Sequence, residues 1–152
     1  MTDIEINIIR STPENIDLLI PLFDAYRQFY GQASDPEAAR KFLSERLERD
    51  DSVIFIAVNG DKGYGFTQLY PAFSSVAMQR IWILNDLFVA PDSRRSKIAE
   101  RLLKTASDFA RDDGAKRLVL ATAVDNRPAQ LLYEKNGWVR NTAFQHYNFE
   151  LD

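Results

Sequence analysis

Asp86 stands beside Asn85 inside Trp82-Ile83-Leu84-Asn85-Asp86-Leu87-Phe88-Val89, a run apolar on both alternating faces and bounded by Pro91. Such a run reads as a buried central strand. A carboxylate inside it is costly unless it has a partner or a proton to handle. Side chains alternate along a strand, so Asn85 and Asp86 are expected on opposite faces, and only one of them looks at any given site. After the strand, Arg94, Arg95 and Lys97 gather three cations in a short polar loop. From Ile98 the period changes: Ile98, Leu102, Leu103, Ala106, Phe109 and Ala110 fall on one helical stripe. Strand, basic loop and helix in that order aim the helix's first-turn N–H groups, and the positive end of its dipole, out of the strand's carboxyl end. An anion such as a phosphate suits that place.

Composition narrows the chemistry. The chain has 152 residues, 45 % of them hydrophobic, which is enough for one ordinary domain with a sizeable core, so a single domain over 1–152 is expected. A net charge of −3, with no basic stripe beyond Arg94 to Lys97, argues against a general nucleic-acid binder and mildly favours a cationic substrate. There is no cysteine, which excludes a disulfide framework, a thiolate metal site and a cysteine nucleophile. The single histidine, His146, leaves little for zinc, and no metal is expected; a structural role suits it better than a catalytic one. No apolar run has the length of a signal-peptide core or of a membrane span, so a soluble, cytoplasmic protein is expected.

The remaining elements must position those residues. Ile4 to Arg10 alternates as a first strand, and Ser11-Thr12-Pro13-Glu14 carries helix-start chemistry. Ile16, Leu19, Phe23, Tyr26 and Tyr30 continue at helical spacing up to Gly31, and a second helix runs from Ser34-Asp35-Pro36-Glu37 to about Asp50. Val53 to Val58 is a β-branched strand, Asn59-Gly60 a hairpin turn, and Gly63 to Tyr70 the returning strand, ended by Pro71. Past the long helix, Gly114 is a stop, Ala115 to Thr122 a short strand, and Asn126 to Asn136 a helix closed by Gly137. Trp138 to Leu151 reads as two strands meeting near Asn141 to Ala143. The order β-α-α-β-β-β-α-β-α-β-β implies an α/β fold, a mixed sheet with helices on its faces.

That order, with the segments LNDLFVAPDSRRSKIAERLL and NRPAQLLYEKNGW, resembles the GNAT superfamily of acetyl-CoA-dependent N-acetyltransferases over nearly the whole chain. In that family the loop before the long helix follows Arg/Gln-x-x-Gly-x-Gly/Ala, and its amides hold the pyrophosphate of coenzyme A. The matching positions here are Arg94, Arg95, Ser96, Lys97, Ile98 and Ala99, with Lys97 where the pattern has its first glycine. Glycine serves where backbone takes φ > 0 or approaches a ligand closely. A lysine in ordinary helical conformation still offers its N–H and adds a charge that reaches a phosphate, so altered affinity is expected, not lost binding. Asn126, Ala129, Leu132, Tyr133, Gly137 and Trp138 fall on the family's second cofactor-side pattern. The resemblance implies that Asn126 bonds the pantetheine arm and that the Tyr133 hydroxyl faces the sulfur.

The roles implied are those of acetyl transfer from acetyl-CoA to an amine by direct attack in a ternary complex. A phenol of pKa about 10 protonates a leaving thiolate, whose conjugate acid lies at about 8 to 9, only with help from the site. Tyr133 is the candidate acid, its alternative being an aromatic of its helix's apolar face. An alkylammonium of pKa about 10.4 must lose a proton before attack. Relatives resembling diamine acetyltransferases carry a glutamate-aspartate pair here; with Asn85 at the glutamate position, Asp86 acting through a water is the remaining base, its alternative being a loop cap or a partner of an arginine. A main-chain N–H near Leu87, Phe88 and Val89 would meet the oxyanion. Tyr26, Arg27, Tyr30, Tyr70, Phe73, Ser74 and Asn85 are the residues placed to shape an acceptor pocket for a cation, although Tyr26 and Tyr30 also fit a core stripe. A small primary amine is the expected acceptor. A protein lysine or N-terminus is the second reading, and a non-catalytic acetyl-CoA sensor the third. A homodimer, paired through terminal strands, is implied by the same resemblance.

Overall fold

A computed structural model describes residues 5–94 and 97–151. The chain divides into two compact units, Met1–Ala121 and Thr122–Asp152. The first holds a mixed sheet in the order β1-β2-β3-β4-β5: β1 (Asn7–Arg10), β2 (Val53–Asn59), β3 (Lys62–Ser74), β4 (Gln79–Val89) and β5 (Leu118–Val119). The first four strands are antiparallel neighbours, and β5 runs parallel to β4. Three helices belong to this unit, α1 (Ile16–Phe29), α2 (Pro36–Arg49) and α3 (Ile98–Asp112). The second unit contains α4 (Arg127–Lys135), which ends at Gly137 with φ +92°, the left-handed conformation its sequence suggested.

Both faces of β2 are buried, as its uninterrupted apolar sequence requires. Ile54, Ile56 and Val58 join Leu19, Phe23 and Leu43 in one core with α1 and α2. Phe55, facing the other way, meets Phe109 of α3 with ring centroids 5.8 Å apart. In α3 the buried residues Ile98, Leu102, Leu103, Ala106 and Ala110 form the single stripe read from the spacing. The α1–α2 connection is pinned by one carboxylate. Asp24, itself buried, accepts from the Ser34 hydroxyl at 2.6 Å and from the Asp35 amide at 2.7 Å. Asp35 in turn caps α2 by accepting from Ala38 N–H at 3.1 Å.

Three expectations need correction. β3 does not stop at Pro71 but continues to Ser74, because Pro71 sits where its missing N–H harms no ladder. The Trp82 amide, opposite Pro71, turns to the Arg117 carbonyl on the β5 side, so this pair exchanges no bonds, and β2 has already ended at Leu69. The strand expected over 115–122 is regular only at Leu118–Val119, paired with Trp82 and Ile83. Among the described residues, 138–151 form no strand. The alternating Tyr147, Phe149 and Leu151 supply an apolar face, but period alone supplies no backbone partner, and a strand needs both.

Gly65 fixes how closely β3, β4 and α3 converge. A Cβ there would stand 2.8 Å from the Phe88 carbonyl oxygen and 3.3 Å from the Ile98 side chain. Gly65→Ala is expected to cost about 1–3 kcal/mol of unfolding free energy, measured in urea, because the nearest obstacle is backbone. Asp24 gives a pH signature. Hydrogen bonds from Ser34 and the Asp35 amide hold its carboxyl below the usual range. Its contribution is therefore complete above the ordinary aspartate pKa of about 4 and is lost as pH falls through the lower folded value. In acid titrations followed by circular dichroism, Asp24→Asn should lose stability at neutral pH and show a smaller loss on acidification than the parent.

Candidate active site

One extra residue in β4 arranges the site. Gln68 pairs with Asp86, but the next residue of β3, Leu69, pairs with Leu84, which leaves Asn85 as a bulge. An inserted residue swaps the faces on either side of it. Trp82 therefore looks toward α3, its ring 5.1 Å from Phe109, whereas Phe88, six positions on, looks toward α1, its ring 6.1 Å from Tyr26. Asp86 lies on the α1 side. It is 4 % exposed, and its Oδ2 accepts from Gln68 Nε2 at 2.6 Å. The strict alternation expected of Asn85 and Asp86 is broken by the bulge: Asn85 Nδ2 donates to Asp86 Oδ1 at 3.0 Å.

The environment of Asp86 pushes its pKa upward. Burial is the leading cause, opposed by hydrogen bonds from Gln68, Tyr26 and Asn85 that favour the ionised form. Tyr70, on the same face, is pushed up to about 12, first by burial and then by the nearby Asp86 charge. The Tyr26 ring packs on Phe23, Phe66, Phe88 and Tyr30, and its hydroxyl also reaches the Asn85 carbonyl at 3.4 Å. Tyr26 is thus both core and site, the two readings its spacing allowed. Tyr30 is half-exposed at the rim, beside Phe29. Arg27 donates to the Ala33 carbonyl at 3.4 Å and so braces the α1–α2 loop. Phe73 does not join this group. It sits by Arg80, whose guanidinium lies 5.1 Å from the Phe73 ring and 5.4 Å from Trp82, on the α3 side of the sheet. Ser74 accepts from the Ala77 amide at 3.2 Å in the β3–β4 turn. Gln68 escaped the sequence reading; the polar pair Thr67-Gln68 inside an apolar strand was its signal.

Among the described residues, β5 pairs with β4 only as far as Ile83, just short of the bulge, so β4 from Leu84 to Val89 has an open edge. The Ala90 amide donates to Tyr64 O at 2.8 Å, which places positions 88 and 90 in the β3 ladder. By alternation the N–H groups of Leu87 and Val89 face the open edge, while that of Phe88 faces β3. Arg94 folds back, its Nε donating to the Val89 carbonyl at 3.0 Å and its guanidinium 5.6 Å from the Phe88 ring and 5.9 Å from Phe29. Arg95 and Ser96 lie outside the described residues.

At the start of α3, Lys97 corrects the expectation of ordinary helical conformation. Its φ of 62° and ψ of 20° place it in the left-handed region, where a glycine is at ease. The lysine thus keeps the turn that glycine gives. The first intrahelical bond runs from Arg101 N–H to the Lys97 carbonyl at 3.1 Å, so helix geometry leaves the Ile98 and Ala99 amides without an intrahelical acceptor. Asn126 caps α4 by accepting from Ala129 N–H at 3.4 Å, and the Tyr133 ring lies 6.1 Å from Trp138; both belong to the second unit.

A five-stranded mixed sheet with an open edge, a helix starting just past the end of that edge strand and a buried carboxylate on one face are the features to set beside known proteins, and what they match is a class of acyl-group transferases. The chain belongs to the acetyltransferase (GNAT) family, whose model matches residues 19–138, and is an N-acetyltransferase. It is 50 % identical over 141 residues to an uncharacterized N-acetyltransferase, YhfO, of Bacillus subtilis (strain 168), covering 93 % of this chain and 95 % of the relative. A thialysine N-epsilon-acetyltransferase of Caenorhabditis elegans is 28 % identical over 146 residues, 95 % of this chain and 91 % of that protein. The crystal structure of a probable acetyltransferase superposes with a TM-score of 0.91 at 45 % identity, covering 96 % of this chain and 98 % of the other. Members of the family take their acyl group from acetyl-CoA.

Among the described residues no helix is long and apolar enough to cross a membrane, and no cluster of three or more ligating side chains could hold a metal. Lys97→Gly should raise unfolding free energy by about 1 kcal/mol in urea titrations, because it relieves a left-handed non-glycine residue. Lys97→Ala, which keeps the strain, should leave stability nearly unchanged.

Proposed function

We propose that the protein transfers the acetyl group of acetyl-CoA to a primary amine of a small molecule, by direct attack in a ternary complex. The observation that carries this reading is Asp86: a buried carboxylate whose proton affinity is raised, held at the bulge beside the open edge of β4. A carboxylate with a raised affinity for protons is the kind of base that an alkylammonium acceptor requires. The named activity of the C. elegans relative, on thialysine, supports a small amine. A protein lysine or N-terminus is the alternative acceptor.

The donor groups fit acetyl-CoA. The Ile98 and Ala99 amides and the Lys97 charge suit a pyrophosphate, with Arg94, Arg95 and Ser96 in the same loop. The outward N–H groups of Leu87 and Val89 suit polar atoms of the acyl arm, and in our reading Asn126 adds a contact to it. Bound acetyl-CoA supplies an activated thioester. The chain supplies the rest. A Leu87 or Val89 N–H meets negative charge developing on the acyl oxygen. Asp86, almost closed to solvent, receives the amine's proton through the Tyr26 hydroxyl, which touches it from α1. Tyr26, Tyr30 and Tyr70 offer ring faces to the cation. Tyr133 returns a proton to the leaving sulfur. With no cysteine in the chain, an acyl-cysteine step has no nucleophile. The proposal extends to one catalytic domain over 1–152, cytoplasmic and homodimeric, which light scattering would read as twice the chain mass.

Calorimetry should find acetyl-CoA bound and ATP not; comparable ATP binding would favour a nucleotide site instead. A free-thiol assay over polyamines, amino acids and aminoglycosides then separates catalyst from sensor, since a sensor binds the donor without turnover on any amine or peptide. Asp86→Asn should lower kcat/KM on the best amine by about 10²–10⁴-fold. It should also raise the melting temperature at neutral pH. Because burial raises the folded pKa above the unfolded one, ionised Asp86 opposes folding once pH has passed both, and the amide removes that cost. Tyr133→Phe should lower kcat with acetyl-CoA affinity unchanged.

A further inference from the structure

The Gln68 side chain is 0 % exposed, and its shortest contact is the 2.6 Å bond from Nε2 to Asp86 Oδ2. Its other end is unsatisfied: among the described residues, no donor meets Gln68 Oε1 in hydrogen-bond geometry. The Tyr70 hydroxyl also bonds this amide, but without meeting Oε1 in hydrogen-bond geometry. Buried carbonyl oxygens are seldom left this way, and such an atom beside an ionisable group calls for an explanation. The other carboxylate oxygen, Oδ1, is already served by Asn85 Nδ2 at 3.0 Å. Thr67, next to Gln68, has its hydroxyl committed to the Asp86 carbonyl at 2.8 Å, which locks the two strands together at this point.

We propose that Gln68 is the positioning residue of Asp86, an amide that holds the carboxylate through Nε2 and turns over to receive the protonated acid through Oε1. This rests on the reading of Asp86 as base. A carboxamide has nearly the same outline with its oxygen and nitrogen exchanged, so half a turn about its last torsion needs no extra room. While Asp86 is ionised, Nε2–H points at Oδ2. Once the amine's proton sits on Oδ2, that contact would set two hydrogens face to face. The half turn replaces it with an O–H donated to Oε1, and Oε1 then has the partner it lacked. The acceptor nitrogen gives its proton to the Tyr26 oxygen as the Tyr26 hydroxyl hydrogen moves to Asp86 and comes to rest on Oδ2; the nitrogen keeps its lone pair for attack, and Gln68 itself exchanges no proton. Both states of the base thereby keep one strong bond to the same side chain. The other titratable groups facing this pair are Tyr26 on α1 and Tyr70 on β3, with the Arg46–Asp51 ion pair, 3.0 Å, acting on Tyr70 from the end of α2.

The test is a pH titration by NMR of the Asp86 carboxyl carbon and the Gln68 side-chain amide, the carboxyl signal being assigned by its loss in Asp86→Asn. In the unmutated protein the Gln68 amide signals should shift with the midpoint of Asp86, and in Asp86→Asn that shift should vanish. Gln68→Met keeps length without donor or acceptor; the Asp86 midpoint should rise by about one unit, a tenfold gain in proton affinity, and the acid limb of kcat/KM should move with it. Gln68→Glu should make the two carboxyls share one proton and move the limb further. A Gln68 amide indifferent to the Asp86 titration, or an unmoved midpoint in Gln68→Met, overturns the proposal, and the amide titration decides even if the variants do not fold. Full turnover by Asp86→Asn with the coupled titration intact would instead sink the base reading and leave the coupling of Gln68 to Asp86 standing.

Discussion

The bulge at Asn85 is the constraint on which the other features of the site hang. It swaps the faces of β4, so that the segment carrying Trp82 serves the α3 core while the segment carrying Asp86 and Phe88 serves α1 and α2. Without it, Asp86 would lie across the sheet from Tyr26. Bulges also increase local twist, and pairing between β4 and β5 ends at Ile83, immediately before it. One insertion thus opens an edge of main-chain donors and turns a carboxylate to the neighbouring face. The two ingredients that our proposal asks of an acyl transfer to an amine, a place for the acyl oxygen and a place for the proton, would thus be set by the same irregularity.

Much of the scaffold could be read in advance because it rests on period and on local chemistry. The apolar run of β2, the stripe from Ile98 to Ala110, the cap at Asp35 and the stop at Gly137 each follow from residues close in sequence. What stayed hidden depends on pairing. Nothing in the letters at Asn85 says that this residue, and not its neighbours, lacks a partner in β3. Once the register is known, Gln68 becomes the cross-strand mate of Asp86, and Phe73 moves to the far face. Pro71 was read as a stop because its missing N–H was assumed to be needed; the direction of the Trp82 amide shows that it was not.

The loop before α3 shows a substitution that preserves shape while changing charge. Glycine at position 97 would adopt φ near 60° freely, whereas lysine does so against its own Cβ, at a cost of about 1 kcal/mol or somewhat more. What it adds is a cation at a helix terminus that is already positive. Arg94 is drawn the other way: its guanidinium lies over Phe88 and Phe29, and it occupies the Val89 carbonyl. Of two cations that look alike in sequence, one props the strand end and the other is exposed beside the helix start.

The two walls of the proposed acceptor face differ in mechanical support. Asp86 and Gln68 sit where β3 lies between β2 and β4, cross-linked by the Thr67 hydroxyl. Tyr70 comes one step after β2 has dropped away, on a strand that has become an edge, backed on one side by β4 and β5. A strand paired on one side only carries half the ladder of one paired on both. In our proposal the wall that handles protons is therefore the firmer one, and the wall that would touch the rest of the guest is the more yielding, a division suited to tolerance of many amines over strict selection of one.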